Sequence, residues 1–424
     1  KSVIAGGNML LSKRPDMFLP DKWPTYYAKA SGCNVTDLDG KTYIDISSMG
    51  VGTNILGYNH PVVTDAVVDS ISKGNMSTLN APEEVYLAER LIALNPWSGM
   101  VKFARSGGEA NAIAVRLGRA VAGKDGVAVC GYHGWHDWYL SANLNRDRNL
   151  DGHLLPGLQP LGVPRELSDT VHPFAYNDIA ALEAIISAKK IGVIKMEVQR
   201  NSPPLPGFLE SVRSIAEKNG IVLIFDECTS GFRETSCGLH SKYGVEPDMA
   251  VYGKALGNGH AITAVVGKND VMEAAQSTFI SSTFWTERSG SAAALATLDV
   301  MTAEASWEVI TGIGKSVRDG WQELSQKHDL PINHFGIDAL ASYSFNFPDN
   351  DVYQTFITDY MLARGYLAGS SVYPCIFHSR AIIDSYLNIL DEAFGQIAES
   401  RRNETPAESL YRGTVRTVGF KRLN

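Results

Sequence analysis

The sequence predicts an α/β protein: a large domain on a mostly parallel sheet covered by helices, with a small α+β domain made from both chain ends. Three observations carry this. Between about residues 61 and 312, short continuous apolar runs alternate with helical periods, as in parallel strands buried on both faces. The flanking segments differ, hairpin-like in front and alternating helices and short strands behind. The 424 residues, 44% hydrophobic and 20% charged, can bury a large core without disulfide staples.

The elements follow in chain order. Residues 1–60 form the first piece of the small domain, where Gly32–Leu38 and Thr42–Ile46 flank the turn Asp39-Gly40-Lys41, a hairpin signal. Residues 61–312 form the large domain. Its strands are Val101–Ala104, Gly126–Cys130, Ile191–Val198, Ile221–Phe225 and Met249–Tyr252, and helical periods follow Gly107-Gly108 and run from Phe208 to Lys218. Residues 313–424 return to the small domain, with helices near Ser316–His328 and Tyr353–Arg364 and a strand near Ala341–Phe347.

Charge excludes some functions. Acidic residues number 46 against 38 basic ones, a net charge of −8. Nucleic-acid and anionic-membrane binding need clustered Lys and Arg, so neither is expected. The five cysteines have no metal-like spacing and read as reduced thiols of a cytoplasmic protein. His133 and His136 are three apart, without the further Cys or His a zinc site needs, so no metal is expected. No apolar run reaches the ~18 residues of a membrane span.

Ligands of open parallel sheets sit at the carboxyl ends of the strands. Those ends carry Ser106-Gly107-Gly108, Tyr132-His133, Glu197, Asp226 and Lys254. Ser106-Gly107-Gly108 opens a helix and offers amides to a phosphate. Asp226 can keep a pyridine nitrogen protonated, and Lys254 can form a Schiff base with an aldehyde. Tyr132 can stack on one ring face while the small Cys228 underlies the other. This is a pocket for an anionic, planar, nitrogen-bearing cofactor.

The wording of these segments resembles a known family. FARSGGEA (Phe103–Ala110) resembles the NSGTEA phosphate loop of class III pyridoxal-phosphate aminotransferases, with Gly108 in place of threonine. CGYHGWHD (Cys130–Asp137), LIFDECTSGFR (Leu223–Arg233) and PDMAVYGKALGNG (Pro247–Gly259) resemble its ring-stacking, aspartate and lysine motifs, with Lys254 28 residues beyond Asp226. DLDGKTYID near the front matches as well. The resemblance is to the glutamate-1-semialdehyde aminomutase branch. It implies the fold type I of pyridoxal-phosphate transferases, with a seven-stranded-type sheet, and pyridoxal 5′-phosphate as cofactor. Lys254 and Asp226 are then catalytic. Ser106, Gly107, Gly108, Tyr132, His133, Glu197 and Cys228 bind the cofactor. Thr283, in SSTF, would reach the phosphate of a neighbouring subunit in a homodimer.

Two departures bear on the reaction. The pocket glutamate of that branch falls at Tyr373 in LAGSSVYPCIF, and its tryptophan falls at Met49, beside Ser48. Ser48, Trp135 and Tyr373 are the candidate substrate residues. The expected activity is transfer of an amino group from glutamate or glutamine to a carbonyl acceptor such as a sugar aldehyde or ketone. The alternatives are the aminomutase and, more remotely, a catalytically idle binding protein of this fold.

Overall fold

The computed structural model describes residues 3–5, 7–145, 150 and 160–417. The chain divides into two compact units. One comprises Lys1–His60 and Glu308–Val418; the other is built on Pro61–Trp307.

The larger unit holds a seven-stranded sheet. Its strands are β1 (Met100–Ala104), β2 (Gly126–Cys130), β3 (Val171–Pro173), β4 (Ile191–Glu197), β5 (Val222–Asp226), β6 (Met249–Tyr252) and β7 (Thr263–Gly267). The spatial order is β1-β7-β6-β5-β4-β2-β3. The run from β3 to β6 is parallel throughout, and only β7 is antiparallel to its neighbours β6 and β1. The expected strands are present within a residue or so. Not anticipated were the short edge strand β3 and β7, the β-branched segment Thr263–Gly267 close behind Lys254. Register pairs Glu197 with Asp226 and Asp226 with Val251, so the strand-end side chains named above lie along one edge of the sheet.

Helix α1 (Gly107–Ala122) packs Ala110, Ile113, Ala114 and Leu117 into the core with Val127, Val193, Ile224 and Val265. Its first turn is closed by a reciprocal cap. The Ser106 hydroxyl accepts from the Glu109 amide, and the Glu109 carboxylate accepts from the amides of Ser106 at 2.8 Å and Arg105 at 3.1 Å. Such caps contribute on the order of 1 kcal/mol and fix where the helix begins. At mid-helix, Gly118 lets α1 approach the sheet. A Cβ placed there would lie 2.7 Å from Val193 Cγ2. Gly118→Leu is therefore expected to destabilise the protein by about 1–3 kcal/mol through overpacking, read as a lower midpoint in urea; an unchanged midpoint would contradict this packing.

The smaller unit has a four-stranded sheet, Tyr27–Ser31, Asn34–Asp37, Thr42–Asp45 and Tyr366–Leu367, and a three-stranded one, Ile332–Phe335, Ala341–Phe345 and Ser371–Val372. The hairpin pairs Thr36 with Thr42, and Asp37 Oδ1 accepts from the amides of Asp39 and Lys41 in the turn. Tyr366–Leu367 pairs in parallel with Ile44 and Asp45, so the two ends of the chain share one sheet. Helices Asn350–Ala363 and Arg380–Arg402 pack Phe356, Ile357, Tyr386, Leu390 and Phe394 around Trp321. Helix Ser306–His328 starts ten residues before the expected position and runs across the boundary between the units. Among the described residues, no helix is long and apolar enough to cross a membrane.

Candidate active site

The site is built on the carboxyl ends of β2, β4, β5 and β6 and the amino end of α1, all within the larger unit. Asp226, the last residue of β5, is buried. Its Oδ2 receives Asn111 Nδ2 at 2.9 Å, lies 2.8 Å from His133 Nδ1 and is 3.6 Å from Lys195 Nζ. Its Oδ1 receives the Cys228 amide at 3.1 Å. Burial pushes this carboxyl upward, but the Lys195 charge and the hydrogen bonds from His133 and Cys228 outweigh it and hold the group well below the usual carboxylate range.

His133 is buried, and its ring nitrogens face two acceptors, Asp226 Oδ2 and the Cys130 carbonyl, the latter at 3.2 Å. Tyr132 is half-buried. Its backbone N–H donates to Glu197 Oε2 at 3.2 Å, so Glu197 anchors the turn that carries the ring. Arg200 Nη1 lies 3.8 Å from the other oxygen of Glu197.

Cys228 sits where three segments meet. A Cβ on Gly107 or on Gly253 would lie 3.4 Å from its Sγ, so both glycines let their backbones close around this side chain. Burial pushes the thiol well above its ordinary pKa, which makes it a neutral packing group rather than a nucleophile. Lys254 follows Gly253 in the left-handed region, at φ 44°, a strained setting for a side chain of this size. Its Nζ donates to Thr229 Oγ1 at 2.6 Å.

The structure brings Ser106, Gly107, Gly108, Tyr132, His133, Glu197, Asp226, Cys228 and Lys254 onto this edge. Trp135 is 70% exposed and packs against His136 with the rings tilted by 32° and their centroids 4.7 Å apart. Thr283 is exposed, on the short turn Thr283–Thr286, beside Phe284, which is 69% exposed. Ser48 and Tyr373 are half-buried in the smaller unit. There the Ser48 amide donates to Asp45 Oδ1 at 3.2 Å.

Sequence reasoning missed Asn111, Thr229 and Lys195, and weighed His136 only as a metal ligand. Asn111 and Lys195 are polar residues inside otherwise apolar periods, a signal available in the sequence. His136 had only an indirect one. The imidazole lies 2.5 Å from where a Cβ on Gly108 would be, the space that the family's usual threonine would need.

Residues 20–360 match the family described as aminotransferase class III. The chain belongs to the class III aminotransferases. It is 32% identical to a 3-aminobutyryl-CoA aminotransferase of Cloacimonas acidaminovorans over 85% of both chains. It is 28% identical to a 2′-deamino-2′-hydroxyneamine transaminase of Streptomyces kanamyceticus, over 88% of this chain and 92% of that one. A glutamate-1-semialdehyde 2,1-aminomutase of Methanococcoides burtonii is 32% identical over 76% of this chain and 78% of its own. Among solved structures, the Sphingopyxis FumI protein in its pyridoxal-phosphate form superposes with a TM-score of 0.85. It covers 96% of this chain and 97% of its own at 23% identity, a likeness of fold. The class III family is pyridoxal-phosphate-dependent, and pyridoxal 5′-phosphate is the cofactor of this enzyme. The residues present suit it. Asp226 Oδ1 accepts from the Cys228 amide, and the lone pairs of a carboxylate leave acceptor capacity for a ring N–H. The capped first turn of α1 presents amides to an anion.

Proposed function

We propose that this class III enzyme takes an amino group from glutamate or glutamine and delivers it to a sugar-like aldehyde or ketone, in two half-reactions at one site. The observation that carries the chemistry is the buried, ionised Asp226 on the same sheet edge as the strained Lys254 and the amino end of α1. When bound, pyridoxal phosphate supplies an electron-withdrawing ring that stabilises negative charge on the substrate carbon. Asp226 would keep the ring nitrogen protonated. The amides of Gly107 and Gly108, with the Ser106 hydroxyl, would bind the phosphate. Tyr132 and Cys228 would flank the ring. His133 orients Asp226, and Glu197 holds the Tyr132 turn. Lys254 would hold the cofactor through Nζ and, once displaced by the substrate's amine, would move the proton at the substrate carbon, with Thr229 Oγ1 accepting from Nζ.

A second copy of the chain completes the site in this reading. Thr283 and Phe284 are exposed on a turn suited to contact a partner, with Thr283 donating to the partner's phosphate. The acceptor assignment is supported by Tyr373 and Met49, which stand where the aminomutase branch carries glutamate and tryptophan, and by the similarity to the neamine transaminase. Trp135, Ser48 and Tyr373 are the proposed substrate contacts; aromatic rings suit a polyhydroxy face. The aminomutase is the second reading, favoured by the 32% identity to an enzyme of that activity.

Glutamate added to the cofactor-loaded enzyme is expected to move the absorption band from about 420 nm to about 330 nm, with release of 2-oxoglutarate. Conversion of glutamate-1-semialdehyde without any external amino donor, and no 2-oxoglutarate from glutamate, would establish the aminomutase instead.

A further inference from the structure

Lys195 is out of character with its surroundings. It lies in β4, whose seven residues are all buried, and the side chain itself is fully buried. Among the described residues its Nζ makes no hydrogen bond, and Asp226 Oδ2 lies 3.6 Å away. An isolated ammonium in such a place costs far more than a hydrophobic side chain of the same volume, so the lysine marks a need for charge. We propose that Lys195 is the built-in counter-ion of Asp226, a positioning residue that keeps the carboxylate ionised in the apoprotein and competes with the cofactor's ring nitrogen for it in the loaded enzyme. The cofactor half rests on the reading above that Asp226 meets the ring nitrogen; the apoprotein half does not.

The geometry divides the carboxylate between two duties. Oδ2 faces Asn111 from α1, His133 from the turn after β2 and, at 3.6 Å, the Lys195 ammonium from β4, whereas Oδ1 accepts from the Cys228 amide. Cys228 is neutral, so the cation facing Asp226 is Lys195, with the His133 ring beside it. Glu197 acts on Lys195 from the end of β4, and Lys254 acts on Cys228. Burial drives the Lys195 ammonium below its ordinary range, and the Asp226 charge opposes that drift. A cationic ring nitrogen arriving at Oδ1 must share one negative charge with Lys195. Removing the lysine should therefore tighten the hold on the cofactor and loosen the apoprotein.

The pH dependence has a definite sign. With Lys195 replaced by methionine, the burial that pushes the Asp226 carboxyl upward has less to oppose it. A native state that binds this proton more tightly than the unfolded chain is most stable at low pH and loses that stability as pH rises through the folded-state pKa. In the unaltered protein the depressed Lys195 pKa works the other way, because the unfolded chain then holds more protons. A residue that only fills space would move neither slope.

The test uses the apoprotein and its pyridoxal-phosphate complex for the unaltered chain, Lys195→Met, Asp226→Asn and the double variant. Melting temperatures of the four apoproteins are measured between about pH 5 and pH 8. Each single change should lower the melting temperature, the double change should restore much of the loss, and Lys195→Met should weaken relative to the unaltered protein as pH rises. Additive losses, or parallel pH profiles, overturn the proposal. If the apo form of Lys195→Met does not fold, the double variant decides: a folded double variant supports the pairing, and an unfolded one overturns it. Titration of Lys195→Met with pyridoxal phosphate should show binding about tenfold tighter, the equivalent of one pKa unit; equal or weaker binding overturns the competition. Asp226→Asn binding pyridoxal phosphate as tightly as the unaltered chain would instead refute the ring-nitrogen reading, leaving the apoprotein comparison standing.

Discussion

Lys254→Ala is expected to lower kcat for amino transfer by at least about 10³-fold while the protein still folds, since in the proposed mechanism this removes both a proton carrier and a covalent anchor. The fold should tolerate the change. The left-handed backbone at φ 44° belongs to the turn after Gly253, and alanine inherits the same strain without adding to it. What is lost is the Nζ donor to Thr229 Oγ1 at 2.6 Å. Mass spectrometry after borohydride reduction checks the assignment in the unaltered enzyme, where the cofactor adduct should fall on the peptide carrying Lys254. An adduct on Lys195 or any other lysine would refute it.

Asp226→Asn is expected to cut activity by about 10²-fold or more, because a charged hydrogen bond worth roughly 1.5–3 kcal/mol becomes a neutral one that cannot enforce protonation. It should also cost stability in the absence of cofactor. Asparagine leaves the buried Lys195 ammonium without its counter-charge, and orphaning one member of such a pair typically costs about 3–5 kcal/mol. The acid limb changes as well. Asp226 is held below the usual carboxylate range, so its contribution is present above the unfolded pKa of about 3.9 and is lost as pH falls through the lower folded value. The asparagine variant should lack that part of the acid dependence. An asparagine variant with unaltered kcat and an unaltered apo melting temperature would remove Asp226 from the site.

Much of this was legible beforehand. Buried parallel strands are apolar on both faces, so Gly126–Cys130 and Ile191–Val198 stood out as runs, and the residues at their ends lead to the pocket edge. Family wording added the lysine and aspartate. Side chains that act through another residue left no such trace. Asn111 is one polar position in an apolar helix period and Lys195 one cation in a strand, and both become meaningful only when the fold sets them against Asp226. His136 needed the space left by Gly108 to be known. Strand β7 escaped notice because it follows the lysine turn directly and runs against its neighbours, with no crossover helix to announce it.

The small unit, assembled from both chain ends, imposes an order on synthesis. The strand ending at Asp45 has its neighbour at Tyr366–Leu367, and the segment up to His60 belongs with residues from Glu308 onward. At about 5–20 residues per second, the ribosome spends roughly 12–50 s between these two stretches, during which the first lacks its partner sheet. The larger unit is continuous in sequence and can condense in that interval. The nascent amino-terminal segment therefore waits with Tyr43 and Ile46, buried in the finished protein, open to solvent and to chaperones.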